Sequence, residues 1–377
     1  MERMTSVLVT GSAGFLGKNL WQALSERQDL DLIGYDVASD EADLRVALSR
    51  ADVVIHLAGV NRPQRAEQFE EGNAGLTTHI CDILRELQRT PKIVMSSSVQ
   101  AAQDNPYGAS KRRAERELEV FAEDAGSEVV VFRFKNIFGK WSRPDYNTVV
   151  ATFCHNVTHD LPLLIDDPAR EMELVYVDDV VDLLVAEIDR TEGAPGFAFA
   201  AEMPGLRVTL GDLADRITGF KAMRETCIVP DLGDRLTQCL YSTYVSFLDG
   251  PHMAYGLDQK DDERGSLAEF VKSPHSGQIF VSRTKPGVTR GNHYHHSKTE
   301  KFLVVEGRAL IRLQHVFTGE IVEHEIAGRE YRVVDIPPGY THSIKNIGES
   351  EMVVLFWASE MFDPSAPDTF YREVSHG

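Results

Sequence analysis

Val7-Leu8-Val9-Thr10-Gly11-Ser12-Ala13-Gly14-Phe15-Leu16-Gly17 decides how the first part of this 377-residue chain folds. A short β-favouring run ends in G-x-x-G-x-x-G, and helical spacing of apolar residues follows over 15–24. Gly11 makes the tight turn, Gly14 admits a pyrophosphate to the backbone, and Gly17 lets the helix pack on the strand. The helix opening at Phe15 and Leu16 offers free N–H groups to phosphate. A dinucleotide site built from Gly11, Gly14, Phe15, Leu16 and Gly17 is therefore expected.

Working outward, strand-like runs at 32–35, 51–57, 92–95 and 129–134 alternate with helix-like stretches at 76–87 and 110–125. That order predicts a parallel, doubly wound α/β sheet. Asp36 ends the second strand, where a carboxylate takes the adenosine ribose hydroxyls and disfavours a 2′-phosphate. Its presence argues for NADH. His56-Leu57-Ala58-Gly59 closes another strand. The small residues there let a cofactor lie close to Leu57, Ala58 and Gly59. His56 either touches ligand or packs at the strand end.

Ser98 follows the strand at 92–95, and Tyr107 and Lys111 lie nine and thirteen residues beyond it. Tyr-x-x-x-Lys spacing places both side chains on one helix face. A cationic Lys111 beside the phenol would lower its pKa. Tyr107 can then exchange a proton with a carbonyl oxygen while hydride moves to or from a nicotinamide, with Ser98 hydrogen-bonding the same oxygen.

The pattern changes near residue 250. Short alternating runs at 279–282, 301–305, 309–313, 320–326, 331–336 and 352–357 are separated by turns such as Lys285-Pro286-Gly287, Glu306-Gly307 and Pro337-Pro338-Gly339. They predict an all-β sandwich or barrel. The expected division is 1–250, with a cofactor part to about 140 and a substrate part beyond it, and 258–377. Within the second part, Gly287 to Gly307 reads G-x5-H-x-H-x4-E-x6-G, and Pro337 to Asn346 reads P-x-G-x2-H-x3-N. His293 and His295 share one strand face. With Glu300 and His342 they can close around one cation, and this donor set suits zinc, iron, manganese or nickel. His296 faces away.

Bulk properties narrow the class. The formal net charge of −19 argues against nucleic-acid partners. Cys81, Cys154, Cys227 and Cys239 are scattered, which fits a reducing compartment rather than a disulfide framework. No long apolar run predicts a membrane span, and Met1-Glu2-Arg3-Met4 leads straight into a strand, so a cytoplasmic protein is expected.

The glycine turn, Ser98, Tyr107 and Lys111, together with Arg133-Phe134-Lys135-Asn136-Ile137-Phe138-Gly139 and Val175-Tyr176-Val177-Asp178-Asp179-Val180, resemble an extended short-chain dehydrogenase/reductase (SDR) of Rossmann-like fold. That likeness implies a sugar-nucleotide substrate touched by Asn136, while Asp178 and Asp179 read as helix caps. The two histidine motifs resemble a cupin, with Tyr331 replacing a usual turn glycine. Segments 104–108, 139–141, 240–244, 291–293, 300–305 and 361–364 extend the likeness to bifunctional capsular-polysaccharide enzymes over the whole chain. This resemblance implies NADPH, zinc and a homodimer. It also implies a UDP-2-acetamido-2,6-dideoxy-4-hexulose that the cupin epimerises at C3 and the reductase reduces at C4, toward UDP-N-acetyl-L-fucosamine. Lys301, His315 and Tyr340 are candidate bases by chemistry. NADPH is the expected reductant, with NADH as the alternative: Asp36 opposes a 2′-phosphate, but an arginine such as Arg45 can still reach it. The competing readings are a reductase with a purely structural cupin and a non-catalytic sugar-nucleotide sensor.

Overall fold

The computed structural model describes residues 3–61, 65, 67–146, 148–190 and 193–375. Met1 and Glu2 lie outside the described residues. Two compact units are present. One comprises the residues up to Ile217 with Gln238–Leu248, the other Thr218–Thr237 with everything from Asp249 onward. Residues 218–237, placed by the sequence in the first domain, thus group with the second unit.

The first unit is organised by a sheet of β1 (Thr5–Thr10), β2 (Leu30–Tyr35), β3 (Val53–His56), β4 (Lys92–Ser98) and β5 (Glu128–Phe134), with β6 (Asn136–Phe138) and β7 (Glu171–Tyr176) outside it and β8 (Gly196–Phe199) at its edge. The sheet order is β2-β1-β3-β4-β5-β8, and every pairing is parallel. The chain leaves β1 in opposite directions to reach β2 and β3. A crevice therefore opens beyond the carboxyl ends of β1 and β3, where such sheets bind ligands. Successive side chains explain the two apolar cores. Val7 and Val9 of β1 pack on one face with Leu20, Ile55 and Val180, and Leu8 packs on the other with Leu48, Leu84 and Phe121. Burial on both faces is why these strands read as continuous apolar runs.

A small sheet of β6, β7 and β9 (Leu206–Thr209), and helices such as Val149–Thr158 and Val177–Asp189, complete this unit. Asp178 and Asp179 were expected to cap a helix. The cap residue is instead Tyr176, without a side-chain cap bond. The two aspartates fall in the first turn, where they complement the helix dipole rather than the first free amide. Asp178 also pairs with Lys140.

In the second unit, β10 (Gln259–Asp262), β11 (Gly265–Ser273), β12 (Gly277–Thr284), β13 (Thr289–Tyr294), β14 (Glu300–Glu306), β15 (Arg308–His315), β16 (Ile321–Ala327), β17 (Val333–Ile336), β18 (Tyr340–Asn346), β19 (Met352–Ala358) and β20 (Phe370–Tyr371) form two antiparallel sheets. Their orders are β10-β11-β12-β19-β14-β17 and β16-β15-β18-β13-β20. Phe302, Val304, Val354 and Phe356 from one sheet meet Ala309, Ile311, Ile326 and Ile344 from the other in a single core. Among the described residues, no helix is long and apolar enough to cross a membrane.

Candidate functional site: a dinucleotide cleft and a metal-donor cluster

A cleft of about 640 Å³ opens at the carboxyl ends of β1 and β3. It is lined by Gly11, Gly14, Phe15, Leu16, Gly17, Asp36, Leu57, Ala58, Gly59, Ser98, Tyr107, Lys111 and Asn136, so every expected cofactor and catalytic residue of the first unit borders one space. The glycines make that space. Gly11 has φ +71°, and a Cβ there would stand 2.8 Å from the Ala58 backbone. A Cβ on Gly17 would overlap the Gly11 carbonyl oxygen. Asp36 closes the turn from the side, its Oδ2 accepting the Ala13 N–H at 2.7 Å and its Oδ1 the Val37 N–H at 2.8 Å.

Tyr107 and Lys111 ride on the helix Pro106–Ala125. Asn105 caps it by accepting the Gly108 N–H at 2.8 Å, and Pro106 supplies a first-turn residue with no N–H to satisfy. A Cβ on Gly108 would overlap the Gln100 carbonyl oxygen, so this glycine lets the helix close onto the turn after Ser98. Burial pushes the Tyr107 phenol up, and the Ser98 hydroxyl offsets part of that. Burial also brings the Lys111 ammonium down to about 8, against an opposing pull from Glu115. Lys111 Nζ donates to the Ser96 carbonyl at 3.4 Å and lies 6.0 Å from the Tyr107 ring centre. The expected lowering of the phenol by Lys111 is therefore outweighed here. Desolvation acts on both groups and wins over a charge at that range.

His56 is buried, with Nδ1 2.7 Å from the Thr10 hydroxyl and Nε2 3.0 Å from the Thr77 hydroxyl. Burial, then the nearby Lys111, pushes it down to about 3, so it is a neutral strand-end histidine outside the cleft lining. Asn136 borders the cleft and donates to the Glu173 carbonyl at 3.4 Å. Arg45 is engaged elsewhere, paired with Glu86 at 2.6 Å.

In the second unit, donor atoms of His293, His295, Glu300 and His342 all lie within 4.8 Å of one another. β13 and β18 set His293 directly opposite His342, and Glu300 opens β14. Glu300 Oε2 is 3.4 Å from His295 Nε2 and 3.2 Å from His342 Nε2. Close as they are, all three buried atoms lack a hydrogen bond. Ligands about 2.0–2.1 Å from one tetrahedral cation stand about 3.3 Å apart, so the spacing fits a shared metal better than mutual hydrogen bonds. The outer nitrogens are held: His295 Nδ1 bonds the Asp368 carbonyl at 2.5 Å, and His342 Nδ1 the Tyr340 carbonyl at 3.2 Å. Those carbonyls require protons on Nδ1, leaving each Nε2 a bare lone pair. Burial first, then His342, pushes His293 down to about 4, which is the neutral, ligating form. Burial would raise the Glu300 carboxyl, but His295 and His342 hold it well below the usual carboxylate range. His296 is exposed and outside the cluster.

Residues 7–199 match the NAD dependent epimerase/dehydratase family, and residues 260–370 match the polysaccharide biosynthesis C-terminal domain. The chain belongs to the NAD dependent epimerase/dehydratase family. Over 372 residues it is 42% identical to a Pseudomonas aeruginosa UDP-2-acetamido-2,6-beta-L-arabino-hexul-4-ose reductase, covering 98% of this chain and 99% of that one. The crystal structure of the capsular polysaccharide assembling protein CapF from Staphylococcus aureus superposes with a TM-score of 0.89 at 42% identity, covering 98% of this chain and all of that one. A Bacillus cereus UDP-glucuronic acid 4-epimerase, 19% identical with a TM-score of 0.52, shares the fold of the first part, over 58% of this chain and 83% of that one. An NAD(P)-type dinucleotide accompanies this family.

Several groups around these sites have no signature in the sequence. Buried Glu115 accepts from Ser97 at 2.6 Å and from Arg133 Nε and Nη2 at 2.9 and 2.5 Å, one helical turn beyond Lys111. Asn73 accepts the Val60 N–H and donates to Ser110, which ties the strand-end loop to the catalytic helix. Its π-helical turn, Glu70–Gly75, has no periodicity to read. Among the three candidate bases, Lys301 is corrected: it pairs with Asp335 on the exposed face of β14. Glu300 points inward, so the next side chain must point out. His315 and Tyr340 face each other across β15 and β18, their rings 5.0 Å apart, on the face that carries His342.

Proposed function

We propose that the chain is a bifunctional nucleotide-sugar enzyme: the second unit epimerises C3 of a UDP-2-acetamido-2,6-dideoxy-4-hexulose, and the first reduces the C4 ketone to a UDP-2-acetamido-2,6-dideoxy-L-talose, toward UDP-N-acetyl-L-fucosamine for a surface polysaccharide. The observation that carries this reading is the pairing, in one chain, of the Ser98–Tyr107–Lys111 cleft with a largely buried His3Glu cluster. The full-length likeness to a UDP-hexulose reductase supports the substrate class.

A reduced nicotinamide, when bound, supplies the hydride. Tyr107, whose raised pKa keeps it protonated, gives its phenolic proton to the C4 oxygen. Ser98 donates a hydrogen bond to the same oxygen, Lys111 supplies positive charge beside the phenol, and Asn136 orients the sugar nucleotide. In the second unit His293, His295, Glu300 and His342 would hold a divalent cation, zinc by the resemblance to capsular-polysaccharide enzymes, which would act as a Lewis acid. His315 and Tyr340 are the proposed groups for moving the C3 proton, which the neighbouring ketone makes acidic.

NADH, in place of the NADPH expected from the resemblance, is the proposed reductant. Asp36 points a carboxylate at the glycine turn, and Arg45, the cation expected to reach a 2′-phosphate, is bound to Glu86. The same reading includes a homodimer, which sedimentation would reveal.

The test is incubation of the purified protein with the UDP-4-keto-6-deoxy-hexosamine and NADH or NADPH, following absorbance and product stereochemistry by NMR. Cofactor oxidation with a C3-inverted, C4-reduced product is expected. Reduction without inversion would leave the second unit structural, and no oxidation with either cofactor would overturn the reading.

A further inference from the structure

The donor cluster is closed on one side by a C-terminal segment that lies outside both histidine motifs. β20 pairs with β13, setting Tyr371 against His293 and Phe370 against Tyr294. Just before β20 stands Asp368, at φ +38°, a left-handed conformation that aspartate tolerates better than most residues. Its carboxylate accepts four hydrogen bonds: from the His296 N–H at 2.9 Å, the Ser297 N–H and hydroxyl at 3.0 Å each, and the Lys298 N–H at 2.9 Å. Its own carbonyl accepts from His295 Nδ1 at 2.5 Å. Lys298 answers from the other side, donating through Nζ to the Pro367 carbonyl at 2.9 Å and to Thr369 Oγ1 at 3.3 Å.

One residue thus grips both a donor ring and the loop that connects His295 to Glu300. We propose that Asp368 is the positioning residue of the cation site, fixing His295 so that Nε2 faces the ion and holding the 296–298 loop so that Glu300 meets it at the right distance. The proposal rests on the reading that the four-residue cluster binds a divalent cation. Three successive amides converging on one point form a nest that a carboxylate fills and a neutral side chain does not. The nearby His295 Nδ1 contact decides the tautomer of a donor whose Nε2 is buried without a hydrogen bond. The carboxylate anchors that carbonyl against the ring, and loosening such an outer partner typically weakens metal binding about 10–100-fold.

The experiment is zinc titration of the full-length protein against a chromophoric chelator, with the cobalt-substituted d–d spectrum as a second readout. Asp368→Gly permits the φ of this position while removing the carboxylate, and Asp368→Ala removes both. Both variants are expected to bind zinc about 10–100-fold more weakly, with a distorted cobalt spectrum. Asp368→Asn, which keeps one acceptor oxygen, should fall between these variants and the parent and guards against loss of folding in the other two. Zinc affinity within twofold of the parent in all folded variants would overturn the proposal. His342→Ala separates the two levels: a parent that binds no more zinc than His342→Ala would show that the cation reading itself had failed and, with it, this proposal.

Discussion

In the first unit several groups lining the cleft already have partners. Asp36 holds two backbone amides, Ser98 accepts the Gln100 N–H, and Lys111 donates to Ser96. The cluster in the second unit is the opposite, with three buried donor atoms making no hydrogen bond. The contrast follows from what each site is built to take. A dinucleotide brings its own hydrogen-bonding groups, so the protein must chiefly leave room and expose amides, which it does by omitting side chains at Gly11, Gly14 and Gly17. A cation brings only charge, so the protein must present lone pairs that nothing else uses, and several such buried atoms converging on one point fit an ion. One site is recognised by missing atoms and the other by missing bonds.

Crossing the two sites is the most forceful way to break this contrast. Tyr107→Phe is expected to lower ketone reduction by about 10²–10⁴-fold while leaving deuterium uptake at C3 from heavy water intact. Glu300→Gln should do the reverse, losing C3 exchange and zinc while still reducing a substrate supplied with C3 already inverted. If either variant lost both activities while remaining folded, the division of labour would be wrong.

Filling the cleft tests the missing-atom half of the comparison. In Gly17→Val the new Cβ meets backbone rather than a movable side chain. Overpacking of that kind costs about 1–3 kcal/mol, so the melting midpoint of the first unit should drop by roughly 2–12 °C. Dinucleotide binding, followed by fluorescence titration, should be lost, with zinc binding in the second unit unchanged.

The pH profile of reduction gives a smaller effect. Lys111 is a base whose folded pKa is lowered by burial, to about 8. The ammonium supports Tyr107, so reduction should fall as pH rises through about 8 rather than through the ordinary lysine range. Stability should move the other way. Between about 8 and the unfolded lysine value the unfolded chain binds the extra proton, so unfolding free energy rises with pH there. Lys111→Arg keeps its charge, and its alkaline limb should disappear from that region. The smallest change expected is in cofactor choice. Asp36→Ala should narrow the NADH preference in kcat/KM by about tenfold, the equivalent of about 1.4 kcal/mol, and an unchanged ratio would remove Asp36 from the 2′ position.

The sequence was most informative where chemistry depends on spacing along one element. G-x-x-G-x-x-G, Tyr107 with Lys111, and His293 with His295 are periodic statements, and backbone geometry turns each into a position. The two units could be foreseen for the same reason, since alternating βα runs and short alternating strands have different periods. What bonds to what across the fold had no such signature. His295 meets Asp368 73 residues away, His56 bridges Thr10 and Thr77, and Arg45 is taken by Glu86 rather than left for a phosphate. Residues 218–237 likewise join the second unit although they precede the end of the first. Period and composition tell a chain which face of each element is apolar. The partner of a polar group depends on which distant segments the packed core brings beside it, and only the tertiary structure decides that.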